Sequence, residues 1–270
     1  AMGSGKIFIC GGVESMTRVK TGFDSVPYPF SEKQNPNVYF SMGTTAENVA
    51  KKYKISRTEQ QEFSILSHQK AYNAQTNGNF KSEIVKIYDC EKDDNIRPNS
   101  DQEKLDKLKL AFDSEGTVTA ATSSPLTDGA AATLICEENY AKENNLPILG
   151  RIISSAVEGC DPNFMGLGPI FASKKALKRA NLSINKIDIV ELNEAFASQA
   201  LACIKDLGID INKVNIDGGA LALGHPLGAT GARITGKAAM LLRRENKKYA
   251  LSTQCIGLGM GIATIIESIN

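Results

Sequence analysis

Residues 148–270 alternate apolar strand-like runs with amphipathic helical runs, and this alternation constrains the fold more than any other feature of the chain. The order is strand in "ILGRIISSAVEGC", helix in "SKKALKRANL", strand into helix in "DIVELNEAFASQALACIKDLG", strand in "VNIDGG", helix in "GARITGKAAMLLRREN", and paired strands in "YALSTQC" and "GIATIIES". Strands that alternate with helices are typical of a layered α/β domain. The sequence therefore predicts an α/β fold for this part of the chain.

The first part of the chain is more polar. "KIFICGG" predicts a short buried strand that ends at Gly11 and Gly12, followed by a turn in "VESMT". "TAENVAKKYK" and "RTEQQEFSILSHQKAYNAQTNG" predict helices, the second ending at Gly78, and "DGAAATLICEENYAKENNLP" returns to strand and helix. The region up to about Gly116 therefore reads as a helical insertion. "ATLICE" at 132–137 resembles "ATIIE" at 263–267, which hints at a duplicated half-domain.

Composition excludes several classes of function. The chain has 270 residues with 42% hydrophobic content, enough for one sizeable domain or two smaller ones. The 31 basic and 30 acidic residues nearly balance, which argues against a nucleic-acid or membrane-surface role. The six cysteines show no metal-binding spacing, and those in apolar runs are expected to be reduced and buried, as in a reducing compartment. We expect no membrane-spanning stretch and no signal peptide within these residues, whose start at "AMGSGK" is abrupt.

Three polar residues stand where predicted strands end. Asn193 precedes a helix, where the common role is an N-cap. His225 is enclosed by Gly224, Pro226 and Gly228 in a loop, which favours a functional role. Cys255 precedes alternating glycines and is either an inert buried thiol or a reactive one. The other histidine, His68, lies in a long amphipathic helix and is predicted to be a solvated surface residue.

The glycine-rich loops do not fit nucleotide binding. "GLGMGIATI" has a GxGxG spacing followed by a strand, and "GHPLGATGAR" lacks the Lys-Ser/Thr of a phosphate-binding loop. What remains is a cysteine, a histidine and an asparagine on loops at strand ends. These residues can supply the base, the acid and the oxyanion donors for acyl chemistry at a thioester.

Four segments, "GGVESM", "NEAFA", "GGALALGHPLGATGAR" and "CIGLGMG", resemble the thiolase family in this order. "DDNIRP" and "TVTAATSSPLTDGAAA" look more like the degradative 3-ketoacyl-CoA thiolases than the biosynthetic acetyl-CoA acetyltransferases, which stay an alternative. The resemblance implies a duplicated α/β/α/β/α layered fold with an inserted helical loop domain, in a homodimer or homotetramer. The remainder of the N-terminal half would then occupy residues 1–14 and 121–147, the coenzyme A-binding loop domain 15–120, and the C-terminal half 148–270.

The resemblance also implies a ping-pong reaction in which a cysteine takes the acyl group and free coenzyme A removes it. Coenzyme A is a substrate, and no prosthetic group or metal is expected. His225 would activate the nucleophile, and Asn193 would hold a water that, with His225, stabilises the thioester enolate oxygen. Cys255 would move the proton at the acetyl methyl carbon. The backbone N–H of Gly257 would contribute to a second oxyanion hole.

Substrate contacts follow from the same resemblance. It places Ser124 near the pantetheine amide, Met165 near the acyl pocket and Arg97 near the adenine and phosphates of coenzyme A. The plainer alternatives are a turn serine, a packing methionine and a surface arginine.

The chain departs from the family pattern at its start. The family's nucleophilic cysteine stands in a "CxSG"-like motif before "GGVESM", and Cys10, expected inside a buried strand, cannot replace it. We therefore expect an incomplete N-terminal half and no activity from these residues alone. A non-catalytic coenzyme A-binding or partner-binding piece stays a second class of function. The expected location is the cytoplasm, or mitochondria or peroxisomes in a eukaryote.

Overall fold

The structure is a computed structural model that describes residues 5–19 and 33–269. The strands are β1 (Ile7–Ser15), β2 (Asp128–Cys136), β3 (Arg151–Gly159), β4 (Ile189–Leu192), β5 (Tyr249–Ile256) and β6 (Met260–Glu267). The helices are α1 (Met42–Tyr53), α2 (Arg57–Thr76), α3 (Gln102–Asp106), α4 (Glu138–Glu143), α5 (Gly168–Ala180), α6 (Ala197–Leu207), α7 (Ala220–Leu223) and α8 (Thr230–Arg244).

The strands form two sheets. β1 and β2 pair antiparallel, from Ile7 opposite Cys136 to Ser15 opposite Asp128. The other sheet has the order β3-β6-β5-β4, with β6 antiparallel to both β3 and β5, and β4 parallel to β5. A parallel pair requires a long crossover connection, and the chain between β4 and β5 supplies it with α6, α7 and α8.

Helix α8 lies between the two sheets, packing against β4 and β5 on one side and β1 and β2 on the other. On the opposite face of the four-stranded sheet lie α5 and α6, with α1 and α2 packed against α6. The main core fills this second interface, with fully buried side chains such as Ile170, Leu192, Leu251 and Ile265. Burying such side chains from both layers is what stabilises a layered α/β fold.

Local sequence signals explain the helix ends. Ser56 caps α2 by accepting the N–H of Glu59, and the Glu59 carboxylate accepts the N–H of Ser56, which is a complete capping box. Gly78 follows the end of α2 with φ of +76°. At α6 the left-handed residue after the last turn is Gly208.

The start of α5 approaches the sheet closely enough to exclude any side chain. A Cβ at Gly261 in β6 would lie 2.1 Å from the carbonyl carbon of Gly168, the first residue of α5. Real Cβ contacts are never that short, so the packing of α5 on β6 requires glycine at this crossing. The last of the alternating glycines in the closing motif, Gly261, thus has a packing reason.

Most predicted elements are confirmed, including both long helices, β2 with α4, and the pairing of β5 with β6. The strand predicted in "VNIDGG" is wrong: Val214 makes only an isolated bridge to Val190, and a turn follows. The α/β class is confirmed. The division into 1–14 with 121–147, 15–120 and 148–270 stays a prediction, and residues 20–32 of its middle part lie outside the described residues.

The prediction for the first strand was also partly wrong. β1 does not end at Gly11 and Gly12 but continues through Ser15, and it is exposed, with Ile9 82% and Val13 72% accessible. Cys10 is exposed too, so burial does not exclude it as a nucleophile. The reason is that, within the described residues, β1 pairs only with β2, and α8 covers only part of this small sheet.

None of the helices in the described ranges combines the length and the apolar character needed to cross a lipid bilayer.

Candidate active site

Asn193 lies at the carboxyl end of β4, next to the strand that carries Cys255. Its backbone N–H donates to the carbonyl of Thr253 at 3.0 Å, which extends the parallel pairing of Leu192 with Thr253 by one residue. The side chain is fully buried, and neither amide atom has a hydrogen-bond partner among the described residues. Asn193 is not the helix cap that its position indicated, because α6 begins at Ala197, four residues later.

Glu194 is a buried hub that joins four segments. Its carboxylate accepts the Ser67 hydroxyl at 2.7 Å, the Asn215 side-chain amide at 2.7 Å and the backbone N–H of Leu221 at 3.2 Å. Burial raises the pKa of Glu194, while these hydrogen bonds oppose the rise. Through Glu194, the end of β4 is tied to α2, to the loop at 215 and to α7.

Asn215 clamps the same strand end. It accepts the N–H of Leu192 at 2.9 Å and donates to the carbonyl of Leu192 at 2.8 Å. Gly219 lies against the Glu194 carboxylate so closely that a Cβ would be 2.1 Å from its carboxyl carbon. Glycine is therefore required at 219 for the Glu194 hub to form.

His225 lies in the loop between α7 and α8, partly buried. Its backbone N–H donates to the Thr127 hydroxyl at 3.3 Å, and its ring Nδ1 lies 2.7 Å from the hydroxyl oxygen of Thr230. Gly224 has φ of +93°, and a Cβ there would lie 2.4 Å from the Thr127 hydroxyl oxygen. Burial, with a smaller effect from the Arg233 charge, lowers the pKa of His225 to about 4, so its imidazole is neutral at pH 7.

Cys255 is buried near the end of β5 in a small apolar cluster with Met165 and Ala195. Met42 and Phe196 pack against this cluster. Burial raises the pKa of the Cys255 thiol to about 12, so the thiol carries its proton at neutral pH. The structure thus brings together Met165 and Cys255, two of the residues singled out in the sequence.

Gly257 lies in the turn between β5 and β6. A Cβ built on it meets nothing within 4 Å, so no neighbouring side chain covers this part of the backbone. The turn is formed by Leu258 and Gly259, both with positive φ.

A groove of about 810 Å³ runs between α2, α3 and the segment of residues 120–126. Its lining residues include Arg97, Ser124 and His68, together with Phe112 and Leu221. His68 is 6% exposed, so the prediction of a solvated surface histidine was wrong. It faces inward because its Nδ1 accepts the backbone N–H of Arg97 at 3.1 Å, and burial lowers its pKa to about 4.

The groove connects with the Cys255 cluster through two contacts. The ring of Phe112, which lines the groove, meets the ring of Phe196 edge-on at 5.9 Å between centroids. Ser124 donates its N–H to the carbonyl of Ala195, which packs in the same cluster as Cys255. The same segment reaches His225 through the Thr127 hydroxyl. Residues 123–127 therefore touch both the Cys255 cluster and the His225 loop.

Sequence reasoning missed four residues that hold the site: His68, Glu194, Asn215 and Thr230. A signal existed for two of them, because Glu194 follows Asn193 directly and Thr230 opens the helix after the His225 loop. Nothing in the sequence indicated that Asn215 turns back to the end of β4, or that His68 faces a groove.

Comparison with known proteins gives the family. The protein-family model for the thiolase N-terminal domain matches residues 1–139, and the family model for the thiolase C-terminal domain matches residues 146–268. A "3-ketoacyl-CoA thiolase" of Vibrio vulnificus is 46% identical over 98% of this chain and 72% of its own length. One of Shewanella loihica is 47% identical over the same shares.

Solved structures agree. Human mitochondrial 3-ketoacyl-CoA thiolase in complex with CoA superposes with a TM-score of 0.91 at 40% identity, covering 99% of this chain and 72% of that one. The dimeric peroxisomal thiolase of Saccharomyces cerevisiae gives a TM-score of 0.90 at 43% identity, covering 97% and 69%. The chain belongs to the thiolase family.

Replacing Glu194 by Gln should destabilise the fold. The carboxylate accepts three donors, whereas the Gln amide group would point its own N–H at one of them, leaving buried donors face to face. We expect a loss of about 2–3 kcal/mol in the free energy of unfolding, measured by urea denaturation. The matched control is Glu62→Gln, an exposed residue on α2, which should change it by less than about 0.5 kcal/mol. Equal stabilities for the two variants would contradict the hub.

Proposed function

We propose that the chain supplies the substrate-binding and proton-transfer groups of a 3-ketoacyl-CoA thiolase, whose reaction is the coenzyme A-dependent cleavage of 3-ketoacyl-CoA into acetyl-CoA and a shortened acyl-CoA. Relatives at 46–47% identity carry this name. The observation that carries the proposal is the groove at Arg97 and Ser124, whose lining residue Phe112 packs edge-on against Phe196 beside the Cys255 cluster. A thioester held in the groove would bring its reacting end to a cysteine that can exchange a proton with carbon.

Coenzyme A is proposed to lie along the groove as a substrate. Arg97 is exposed at the rim, where a guanidinium can pair with phosphate or stack on adenine. The structure of the human mitochondrial relative is a complex with CoA, which supports coenzyme A as the ligand. Ser124 lies further in, beside Ala195, where a hydroxyl can bind the pantetheine amide. Met165 packs against Cys255 and would border the acyl group.

Asn193 and His225 are proposed to handle the thioester oxygen and the nucleophile. Both side-chain atoms of Asn193 are buried and unpaired within the described residues, so they can hold a water against the developing enolate oxygen. His225 is neutral at pH 7 and can take a proton from the acyl-accepting cysteine. None of the six cysteines stands in a "CxSG" motif, so the residue that accepts the acyl group is not assigned.

Cys255 is proposed to protonate the methyl carbon of the leaving acetyl-CoA enolate. Because burial keeps the thiol protonated at neutral pH, it is in the form that donates a proton to carbon. In the cleavage direction the thiol S–H bond breaks, the proton forms the new C–H bond, and the thiolate remains. The backbone N–H of Gly257, in the open turn between β5 and β6, would stabilise the oxyanion of the acyl intermediate.

Arg97→Ala should weaken binding of coenzyme A. Loss of its charge and stacking is worth about 1–2 kcal/mol, or about 5- to 30-fold in Kd, and more at low salt. Isothermal titration calorimetry with free coenzyme A measures this. The control is Arg243→Ala, which removes the same charge from an exposed position at the end of α8 and should leave Kd within twofold. Equal Kd values for the parent and Arg97→Ala would reject the placement.

Cys255→Ala should strongly slow the exchange of the methyl protons of acetyl-CoA with D₂O. In this exchange the Cys255 thiolate takes a methyl proton, the C–H electron pair forms the enolate C=C bond, and the carbonyl π pair moves onto the thioester oxygen. The new thiol proton exchanges with D₂O, and a deuteron returns to the carbon by the reverse path. No acyl-cysteine is needed. Because the thiol pKa is about 12, the rate should rise about tenfold per pH unit between pH 7 and 9. NMR loss of the methyl signal measures the rate, which should fall about 10²–10⁴-fold in the variant.

The control for this exchange is Cys203→Ala, which removes a buried thiol in the main core. Its exchange rate should stay within a few-fold of the parent. Binding of coenzyme A without any exchange in the parent would favour the non-catalytic alternative. Exchange that survives Cys255→Ala unchanged would show that Cys255 is a structural thiol.

The chain is also proposed to form a homodimer, since the peroxisomal thiolase of Saccharomyces cerevisiae, which shares its fold, is dimeric. The exposed apolar residues Ile9 and Val13 of β1 supply surface for association. Sedimentation equilibrium at micromolar concentration should give twice the chain mass, and a monomer mass would contradict the assignment.

All six cysteines are unpaired thiols, which supports a reducing compartment such as the cytoplasm or the interior of mitochondria or peroxisomes.

A further inference from the structure

The ring of His225 has one close polar contact that the proposed reaction does not use. Its Nδ1 lies 2.7 Å from the hydroxyl oxygen of Thr230, which is the first residue of α8 and fully buried. The same hydroxyl lies 2.9 Å from the carbonyl oxygen of Pro226, four residues back. Threonine hydroxyls in helices commonly donate to the carbonyl four residues earlier. Both contacts of Thr230 are thus within hydrogen-bond distance at once.

A hydroxyl has a single proton, and this limits how the two contacts can be made. A carbonyl oxygen can only accept, so the Thr230 proton points to Pro226. The hydroxyl oxygen then accepts from Nδ1, which must carry a hydrogen. If the hydroxyl donated to Nδ1 instead, two oxygens would face each other at 2.9 Å with no hydrogen between them. The Pro226 carbonyl also accepts the backbone N–H groups of Ala229 and Thr230, so the assignment depends on the close contact between the two oxygens.

We infer that Thr230 is a positioning residue that holds His225 in the Nδ1–H tautomer and leaves Nε2 as the free acceptor. The hydrogen bond also fixes the ring plane, because it ties Nδ1 to the first turn of α8. The backbone of His225 is held separately by the Thr127 hydroxyl, so ring and main chain have different anchors.

The chemical consequence rests on the proposed function. With Nδ1 protonated, only Nε2 can take the proton of an acyl-accepting cysteine. Once it has done so, Nε2 carries the hydrogen and becomes a donor for the thioester oxygen. One nitrogen would then serve as base and as oxyanion donor in that order, while Thr230 holds the other nitrogen unchanged throughout.

The chain contains its own reference for this assignment. It has two histidines, and the second, His68, accepts the backbone N–H of Arg97 at its Nδ1. A backbone amide can only donate, so Nδ1 of His68 is unprotonated and its hydrogen is on Nε2. The two imidazoles of the chain should therefore be neutral tautomers of opposite kind.

Long-range ¹H–¹⁵N correlation NMR of the uniformly ¹⁵N-labelled chain at pH 7 tests the inference directly. Protonated and unprotonated ring nitrogens have widely separated shifts, and the coupling pattern shows which nitrogen carries the hydrogen. His68→Gln assigns the two spin systems by removing one of them. We expect His225 to show protonated Nδ1 and unprotonated Nε2, and His68 the reverse. A protonated Nε2 on His225 would overturn the inference without help from any variant.

Thr230 is then tested by replacement. Thr230→Val keeps the shape but removes the hydroxyl, so the Nδ1–H pattern of His225 should be lost, whereas Thr230→Ser keeps the hydroxyl and should keep the pattern. Thr235→Val is the control. It removes a hydroxyl of the same helix, one that contacts Ser252, and should leave the NMR pattern of His225 unchanged. An unaltered His225 pattern in a folded Thr230→Val would overturn the role of Thr230. Should that variant not fold, loss of the pattern in Thr230→Ser would do the same.

This readout needs neither coenzyme A nor turnover. If acetyl-CoA shows no methyl exchange while the tautomers are as inferred, the proposed function fails and the role of Thr230 stands. If exchange occurs and His225 carries its hydrogen on Nε2, the proposed function stands and the role of Thr230 fails.

Discussion

The arrangement of the site depends on the buried carboxylate of Glu194. A carboxyl group in the interior is costly unless it is hydrogen-bonded, and Glu194 accepts donors from three segments distant in sequence: Ser67, Asn215 and Leu221. Glu194 directly follows Asn193. The hydrogen bonds that fix Glu194 therefore also fix the backbone of Asn193, whose side chain is the candidate oxyanion group. Local breakage of this hub would release α2, α7 and the end of β4 together, so the groove and the strand-end residues share one point of support.

The second constraint is the low polarity around the reacting groups. Burial disfavours the charged form of every group, and for this reason it lowers the pKa of His225 to about 4 and raises that of Cys255 to about 12. The same physical cause therefore leaves both the candidate base and the candidate acid neutral at pH 7. Neither needs a charged partner to reach that state. The apolar cluster of Met165, Ala195 and Cys255 thus sets the protonation state of the Cys255 thiol as well as its packing.

Much of the fold was predictable because periodicity reports burial wherever elements pack on one another. The long helices, the antiparallel pair β5–β6 and the strand that enters α6 all follow from their patterns. "KIFICGG" shows the limit. Its apolar run predicts a strand correctly, but how much of a strand is covered depends on what packs over it, and Ile9 is 82% exposed. "VNIDGG" fails for another reason: Asn215 bonds to the backbone of Leu192, so this segment serves the end of β4 through a side chain and makes only one bridge.

At the site, the sequence indicates which side chains have the right chemistry, but their state is set by contacts with residues far along the chain. Asn193 reads as a helix cap in isolation, since a cap and a ligand-holding amide have the same local sequence, and only the start of α6 four residues later separates the two. His68 lies next to polar residues in an amphipathic helix, and nothing nearby in sequence shows that the N–H of Arg97, twenty-nine residues on, meets its ring. The N–H of Arg97 sets the tautomer of His68 and also holds the Arg97 loop of the groove against α2. The protonation of this side chain and the path of the loop therefore depend on the same hydrogen bond. A sequence pattern can locate such residues, whereas their proton positions follow only from the folded contacts.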